Sequence, residues 1–266
     1  MPVSLPGVDH HEPACDALER STPVLVEAIR RAPGTIRPAK MRWTNAEIAA
    51  HMLASVTESE KAARGVPSLY DRSGPTVALD EQMVSQVTER NLDVLAGMID
   101  QATAQFLSTA RARPGDDPVA VPRATVSTLV GLLAGDHHLH GGQFAETAGL
   151  QWAGRVADVH ATLSTVLPYA FDPVAARGFH GSYMLRLKGV DPIRYSVEDG
   201  VLHLDVPGPV DCTMTSDPQT ILRLGIGVVS QLRATLTGKL RTGGRKPWLA
   251  LATTRLFPPI PHGGVR

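Results

Sequence analysis

The chain has 266 residues, of which 43% are hydrophobic and 20% charged, and its 26 Lys+Arg balance 26 Asp+Glu for a net charge of zero. That is the composition of an ordinary folded protein with room for two modest domains. Charge balance argues against a globally basic nucleic-acid binder or an acidic tail, and no apolar run approaches the roughly 20 residues of a membrane span.

The first stretch, MPVSLPGVDHHEPAC, has neither the basic nor the apolar region of a secretory signal, so the expected location is cytoplasmic, with no nucleic-acid or membrane partner. Cys15 and Cys212 are far apart and belong to no CxxC pair, which argues against a disulfide framework or a cysteine-based zinc site. Cys212 is expected as a small apolar strand residue. A role as nucleophile is the lesser alternative, since no base accompanies it in sequence.

In chain order, the first helix is predicted from about 15 to 31, with Leu18, Leu25 and Ile29 on one stripe and Pro23 expected to kink or restart it. Pro33, Gly34 and Pro38 end it. Thr44 followed by Glu47 is a capping box that opens the second helix. There Ile48, His51, Met52 and Ser55 repeat at spacings of three and four, which puts His51 on the inward stripe. Gly65 and Pro67 close this helix, and a polar loop through Gly74 and Pro75 leads to a third, read as one long helix over 79–111. Its stripe is Met83, Val87, Leu92, Leu95, Ile99 and Phe106, with Gly97 as the weak position.

After the turn RPGDDP, a fourth helix is predicted from near Arg123 to Gly149, carrying Val126, Leu129, Val130 and Leu133 and then the run DHHLH. Asp136 and His140 are four residues apart, so both project from one helical face. Two ligands on one helix need a third from elsewhere, and His51 is the candidate. The alternative is a solvated polar helix end. Four such helices with turn-rich joints predict an antiparallel bundle, an architecture that builds metal sites from facing side chains. Gln143 falls on the face of His140 and can bond a ligand or substrate; His137 and His138 point elsewhere, to solvent or to a supporting contact.

Beyond Gln151 the pattern changes. A bridging helix over 153–168 is followed by short alternating runs at 179–187, 193–197, 201–206 and 212–215, with Asp199-Gly200 as a hairpin signal. Helices are predicted at 219–236 and 247–256, flanking the basic turn GKLRTGGRK. The expected fold class is therefore α+β, with a helical bundle over 12–152 and a smaller α+β domain over 169–260.

Two stretches carry a family resemblance. WTNAEIAAHMLAS and DHHLHGGQFAETAGL resemble the two ligand helices of the DinB-like superfamily, and more closely its mycothiol-dependent maleylpyruvate isomerase branch. The resemblance implies metal-ligand roles for His51, Asp136 and His140. Asp136 stands where that branch usually has the longer glutamate, and Gly141 where other DinB-like proteins have arginine in a His-Arg-Gly-Gln ending. TILRLGIG and LTGKLRTGGRKPWLALATTRLF resemble sterol-carrier-protein-like domains, which enclose an apolar tunnel.

The implied cofactors are a divalent metal, with Zn(II) the default for two imidazoles and a carboxylate, and mycothiol as thiol cosubstrate. The function implied is thiol S-transfer to an electrophilic small molecule, including intermediates of secondary metabolism. Cis–trans isomerisation of the maleylpyruvate type is the alternative, and non-enzymatic apolar-ligand binding is a third reading. The chain is expected as a monomer or homodimer. Arg223, which interrupts an apolar stretch, is a candidate anion clamp in catalysis, while Arg233, Lys239, Arg241 and Arg245 are candidates for holding the thiol cosubstrate.

Overall fold

The computed structural model describes residues 3–4, 10–71 and 76–265. The chain divides into two compact units, one of residues 10–165 with 261–266 and one of residues 1–9 with 166–260. The loop expected through Gly74 and Pro75 lies outside the described residues.

The first unit is built from α1 (His11–Arg31), α2 (Asn45–Ala63), α3 (Val77–Gln86), α4 (Leu92–Arg111), α5 (Val126–Thr147) and most of α6 (Val156–Ala170). Helix α1 packs on α4 and α5, and α2 packs on α4, α3 and α5. Leu25, Ile29, Trp43, Ile48, Met52, Leu95, Ile99 and Phe144 belong to one core cluster. Each burial of such a side chain contributes about 1.5–3 kcal/mol.

The predicted capping box is present: the Thr44 backbone N–H donates to Glu47 Oε2 at 2.7 Å, and the Glu47 N–H donates to Thr44 Oγ1 at 3.3 Å. Pro23 does not break α1, which runs through it. Pro23 faces solvent, where water can take the carbonyl that loses its helical donor.

The long helix expected over 79–111 is two helices. Val87 is extended, and Asn91 caps α4 by accepting from the backbone N–H groups of Asp93 and Val94 at 2.9 and 3.4 Å. Glu89 Oε1 meanwhile takes the N–H groups of Arg90 and Asn91, both at 2.7 Å. These local side-chain bonds outcompete the helical ladder across a stretch whose apolar spacing alone looks continuous.

The second unit centres on a six-stranded sheet of order β1-β4-β3-β2-β5-β6, formed by β1 (Val3–Ser4), β2 (His180–Leu187), β3 (Ile193–Glu198), β4 (Val201–Leu204), β5 (Cys212–Ser216) and β6 (Leu240–Gly243). Strands β2, β3 and β4 form an antiparallel meander; β5 lies parallel to β2 and β6 antiparallel to β5. At the hairpin tip Asp199 and Gly200 have φ of 47° and 83°, the left-handed pair that a tight two-residue turn requires. Tyr183 and Tyr195 are paired across β2 and β3 and stack with centroids 5.0 Å apart.

This unit departs from three expectations. The helix predicted over 219–236 is α7 (Pro218–Gly225) and α8 (Gln231–Leu236), because Gly227 adopts a φ of 76° and Ser230 caps a new helix through the Arg233 N–H. The basic turn GKLRTGGRK contains the edge strand β6, in which Thr242 pairs with Met214. The segment predicted as a helix over 247–256 is a 3-10 helix, Pro247–Ala252, followed by the short α9 (Thr253–Leu256). Cys212 is the buried strand residue expected, and burial pushes its thiol pKa up, against use as a nucleophile.

Candidate metal centre

The run DHHLH lies inside the first unit and is not a solvated helix end: His137, His138 and His140 are exposed by 2%, 1% and 0%. Each imidazole has its own structural reason to be there. His137 Nδ1 lies 3.1 Å from the Ser21 hydroxyl of α1, and Trp152 donates its indole N–H to His138 Nδ1 at 3.3 Å. Trp152 reaches that place because positions 141 and 154 are glycine; a Cβ on Gly141 would lie 2.3 Å from the indole ring, and one on Gly154 2.2 Å from its nitrogen. His137 and His138 therefore support α5 rather than face solvent.

His140 has a different partner. Its Nδ1 is 2.8 Å from Gln143 Oε1, and an amide oxygen only accepts, so the proton sits on Nδ1 and the lone pair of Nε2 is left to face the interior. An outer partner that fixes the tautomer in this way is what metal-binding imidazoles commonly have. Gln143 thus accepts from His140 and orients its ring.

His51 comes from α2, whose start is fastened to α5 by Asn45, the side-chain amide of which donates to Thr147 Oγ1 at 2.9 Å and to the Pro33 carbonyl at 2.9 Å. The ring of His51 packs on Trp43 with centroids 5.0 Å apart, which gives the tryptophan of WTNAEIAAH its role. Nε2 of His51 is 3.4 Å from Ser55 Oγ, whereas Nδ1 is buried with no hydrogen-bond partner among the described residues. An orphaned buried nitrogen costs about 1–3 kcal/mol unless something absent from the protein itself satisfies it.

The third imidazole, His262, was not anticipated. Among the described residues, His51, His140 and His262 form the group whose ligand atoms all lie within 4.8 Å of one another. Ring centroids are 5.8 Å apart for His51 and His140, 5.1 Å for His51 and His262, and 5.2 Å for His140 and His262. Its only signal in the sequence is a histidine before a Gly-Gly pair, more than 100 residues from either partner, which no periodicity could connect to them.

Asp136 is not a member of this compact group. It lies one turn before His140 on α5, partly exposed as a residue but with its carboxyl enclosed. Burial, and then the charge of Asp80, push its pKa up to about 8. Tyr70, hydrogen-bonded to Ser55, also feels Asp136 and Asp80, so two acids, a phenol and the three imidazoles share one region.

The imidazoles are neutral near pH 7. Burial drives His51 well below its usual pKa, with His262 and His140 adding to the effect; burial likewise takes His140 to about 4 and His262 to about 3. Three neutral imidazoles with converging nitrogens, one of them orphaned, beside a buried carboxyl that no cation faces among the described residues, fit a divalent metal ion.

The candidate basic residues all belong to the other unit. Arg223 lies in the last turn of α7 and is partly buried. Arg233, Lys239 and Arg241 are exposed, and Arg245 is paired to Asp211 at 2.9 Å, a carboxylate that Lys246 also approaches at 3.4 Å. Arg245 therefore already has an anion.

No family model and no curated protein matches the chain. Among solved structures it is similar to the crystal structure of the mycothiol-dependent maleylpyruvate isomerase, with a TM-score of 0.50 at 12% identity over 89% of this chain and 93% of that one. A mutant of that enzyme gives a TM-score of 0.49 at 11% identity over the same shares. At this identity the first likeness establishes a common fold, helices first and sheet second. No described helix is long and apolar enough to cross a membrane.

Proposed function

We propose that this chain is a metal-dependent enzyme that uses mycothiol, transferring the thiol to an electrophilic small molecule. The observation that carries the reading is the convergence of His51 and His140 from α2 and α5, in a fold shared with a mycothiol-dependent isomerase. His51 and His140 hold the ion, and Asp136 supplies the carboxylate, since a divalent cation would relieve an acid whose pKa burial and the charge of Asp80 raise. Zn(II) suits this donor set. A divalent ion held there keeps a bound thiol ionised near neutral pH.

The protein's own part is to orient and to exclude water. Gln143 holds the His140 tautomer, Trp43 walls one side of His51, and the buried imidazoles stay unprotonated and available as ligands. Arg223, Arg233, Lys239 and Arg241 are the residues we assign to carboxylate or thiol-headgroup binding, with Arg245 the weakest of the set because of Asp211. The unit that carries them we take as the sterol-carrier-like half of the enzyme.

Transfer and isomerisation begin with the same nucleophilic addition and differ in the fate of the thiol. Transfer is favoured here because Asp136 is shorter than the glutamate of the isomerase pattern. The experiment is to incubate the metal-loaded protein with mycothiol and a conjugated or halogenated acceptor and to count free thiol. Transfer consumes one thiol per product, whereas isomerisation leaves the thiol count unchanged, and no thiol-dependent turnover with any acceptor class would defeat both.

A second reading, a non-enzymatic carrier of an apolar ligand, draws on the exposure of Leu232, Leu236, Trp248 and Leu251 at 68%, 78%, 62% and 75%. It calls for lipid bound to the purified protein and for indifference to loss of His51.

A further inference from the structure

We infer that His262 is a ligand of the metal, and that residues 261–265 are a strap whose docking completes the site. The inference rests on the metal reading above and adds a donor that neither the α5 nor the α2 motif contains.

The segment is seated by contacts that have no other evident purpose. The Arg42 backbone N–H donates to the Gly264 carbonyl at 2.7 Å, and the Arg42 side chain donates to the Gly263 carbonyl. The Gly263 N–H donates to Asp80 Oδ2 of α3 at 2.8 Å, and Val265 forms an isolated bridge with Met41. Only glycine fits at the two positions after the histidine. A Cβ on Gly263 would lie 2.8 Å from Asp80 Cβ, and one on Gly264 would lie 2.6 Å from the Trp43 ring and 2.7 Å from Met41 Cε. Real Cβ atoms do not approach so closely, so the Gly-Gly pair lets the backbone press against Trp43 and aim the preceding side chain inward. The His262 ring then packs on Trp43 with centroids 5.5 Å apart, and its Nε2 comes to 3.2 Å from Nε2 of His140.

Two neutral imidazole nitrogens at that separation need a cation or a proton between them. With Nδ1 of His140 committed to Gln143, the His140 Nε2 can only accept, so without metal the shared proton belongs to His262 Nε2. Coordination through Nε2 shifts that proton to Nδ1 of His262, at the expense of the contact in which Gly264 N–H approaches Nδ1 at 3.1 Å. One neutral hydrogen bond is a small loss against a metal–imidazole bond. His262 thereby offsets the shorter reach of Asp136, and the site draws ligands from three separated parts of the chain.

The test is metal binding, read without turnover. Wild-type protein, His262→Ala and Gly264→Val are loaded with Co(II) and compared for affinity against a competing chelator and for imidazole count by X-ray absorption. The expected result is a loss of at least about tenfold in affinity in both variants, with three imidazoles falling to two, since even outer partners of a ligand are worth about 10- to 100-fold. Circular dichroism identifies any variant that fails to fold, and His262→Asn provides a second, smaller change. Wild-type affinity in either variant, or two imidazoles in the wild type, overturns the strap while leaving the enzyme reading intact. A wild-type chain that takes no metal defeats both.

Discussion

His51→Ala is expected to empty the metal site and to abolish thiol-dependent turnover while leaving the fold in place. The ring lies 3% exposed beside Trp43 and the other two imidazoles, and its Nδ1 has no hydrogen-bond partner among the described residues. Removing it deletes a ligand outright, so the loss in metal affinity should exceed the roughly 10- to 100-fold that follows loss of an outer partner. Removing it also relieves an unsatisfied buried nitrogen, so the metal-free variant should be little less stable than the metal-free parent, apart from the cavity left behind. Metal content after dialysis and thermal unfolding with chelator present check the two halves. A variant that keeps its metal would exclude His51 as a ligand.

Acidification of the metal-free protein should destabilise it steeply between about pH 6.5 and pH 4. In the unfolded chain histidines protonate near 6.5, whereas burial holds His138 and His140 down at about 4 and His137 and His262 at about 3, with His51 also far below its usual value. Across that window the unfolded state binds protons that the folded state refuses, so stability rises with pH. Two acids oppose this trend. Asp136, raised to about 8, and Asp80, raised to about 6 mainly by burial, keep protons in the folded state that the unfolded state loses from about pH 4 upward. Five histidines outweigh two acids up to about pH 7, where the unfolded histidines have lost most of their protons and Asp136 still holds its own, so the metal-free protein should be most stable near pH 7. Unfolding temperatures measured with chelator from pH 4 to 9 provide the check; a melting temperature that climbs on acidification would contradict the assigned burial. Bound metal should flatten the upper side of this profile, because it favours ionised Asp136.

The sequence disclosed the parts of this site that depend on local pattern. Thr44 and Glu47 announced the start of α2, the three-and-four spacing placed His51 inward, and the helical pattern placed His140 within α5. What it hid depends on distance or on competition. The break between α3 and α4 is made by Glu89 and Asn91 bonding nearby backbone, which apolar spacing does not register. Strand β6 has four residues, two of them exposed, and becomes a strand only through β5. His262 is brought in by a chain return that depends on two glycines fitting against Trp43, a relation across more than 200 residues. The crowding that makes Gly141 obligatory was likewise invisible until Trp152 was in place.

The claim that the rest depends on is that His51 and His140 hold a metal that a thiol can reach. It is tested most directly by titrating the Co(II)-loaded protein with mycothiol and following the near-ultraviolet band that a sulfur ligand adds to cobalt. A band that saturates at about one thiol per chain, and is lost in His140→Ala, is the predicted result. A cobalt-loaded protein whose spectrum is unchanged by mycothiol would contradict the account.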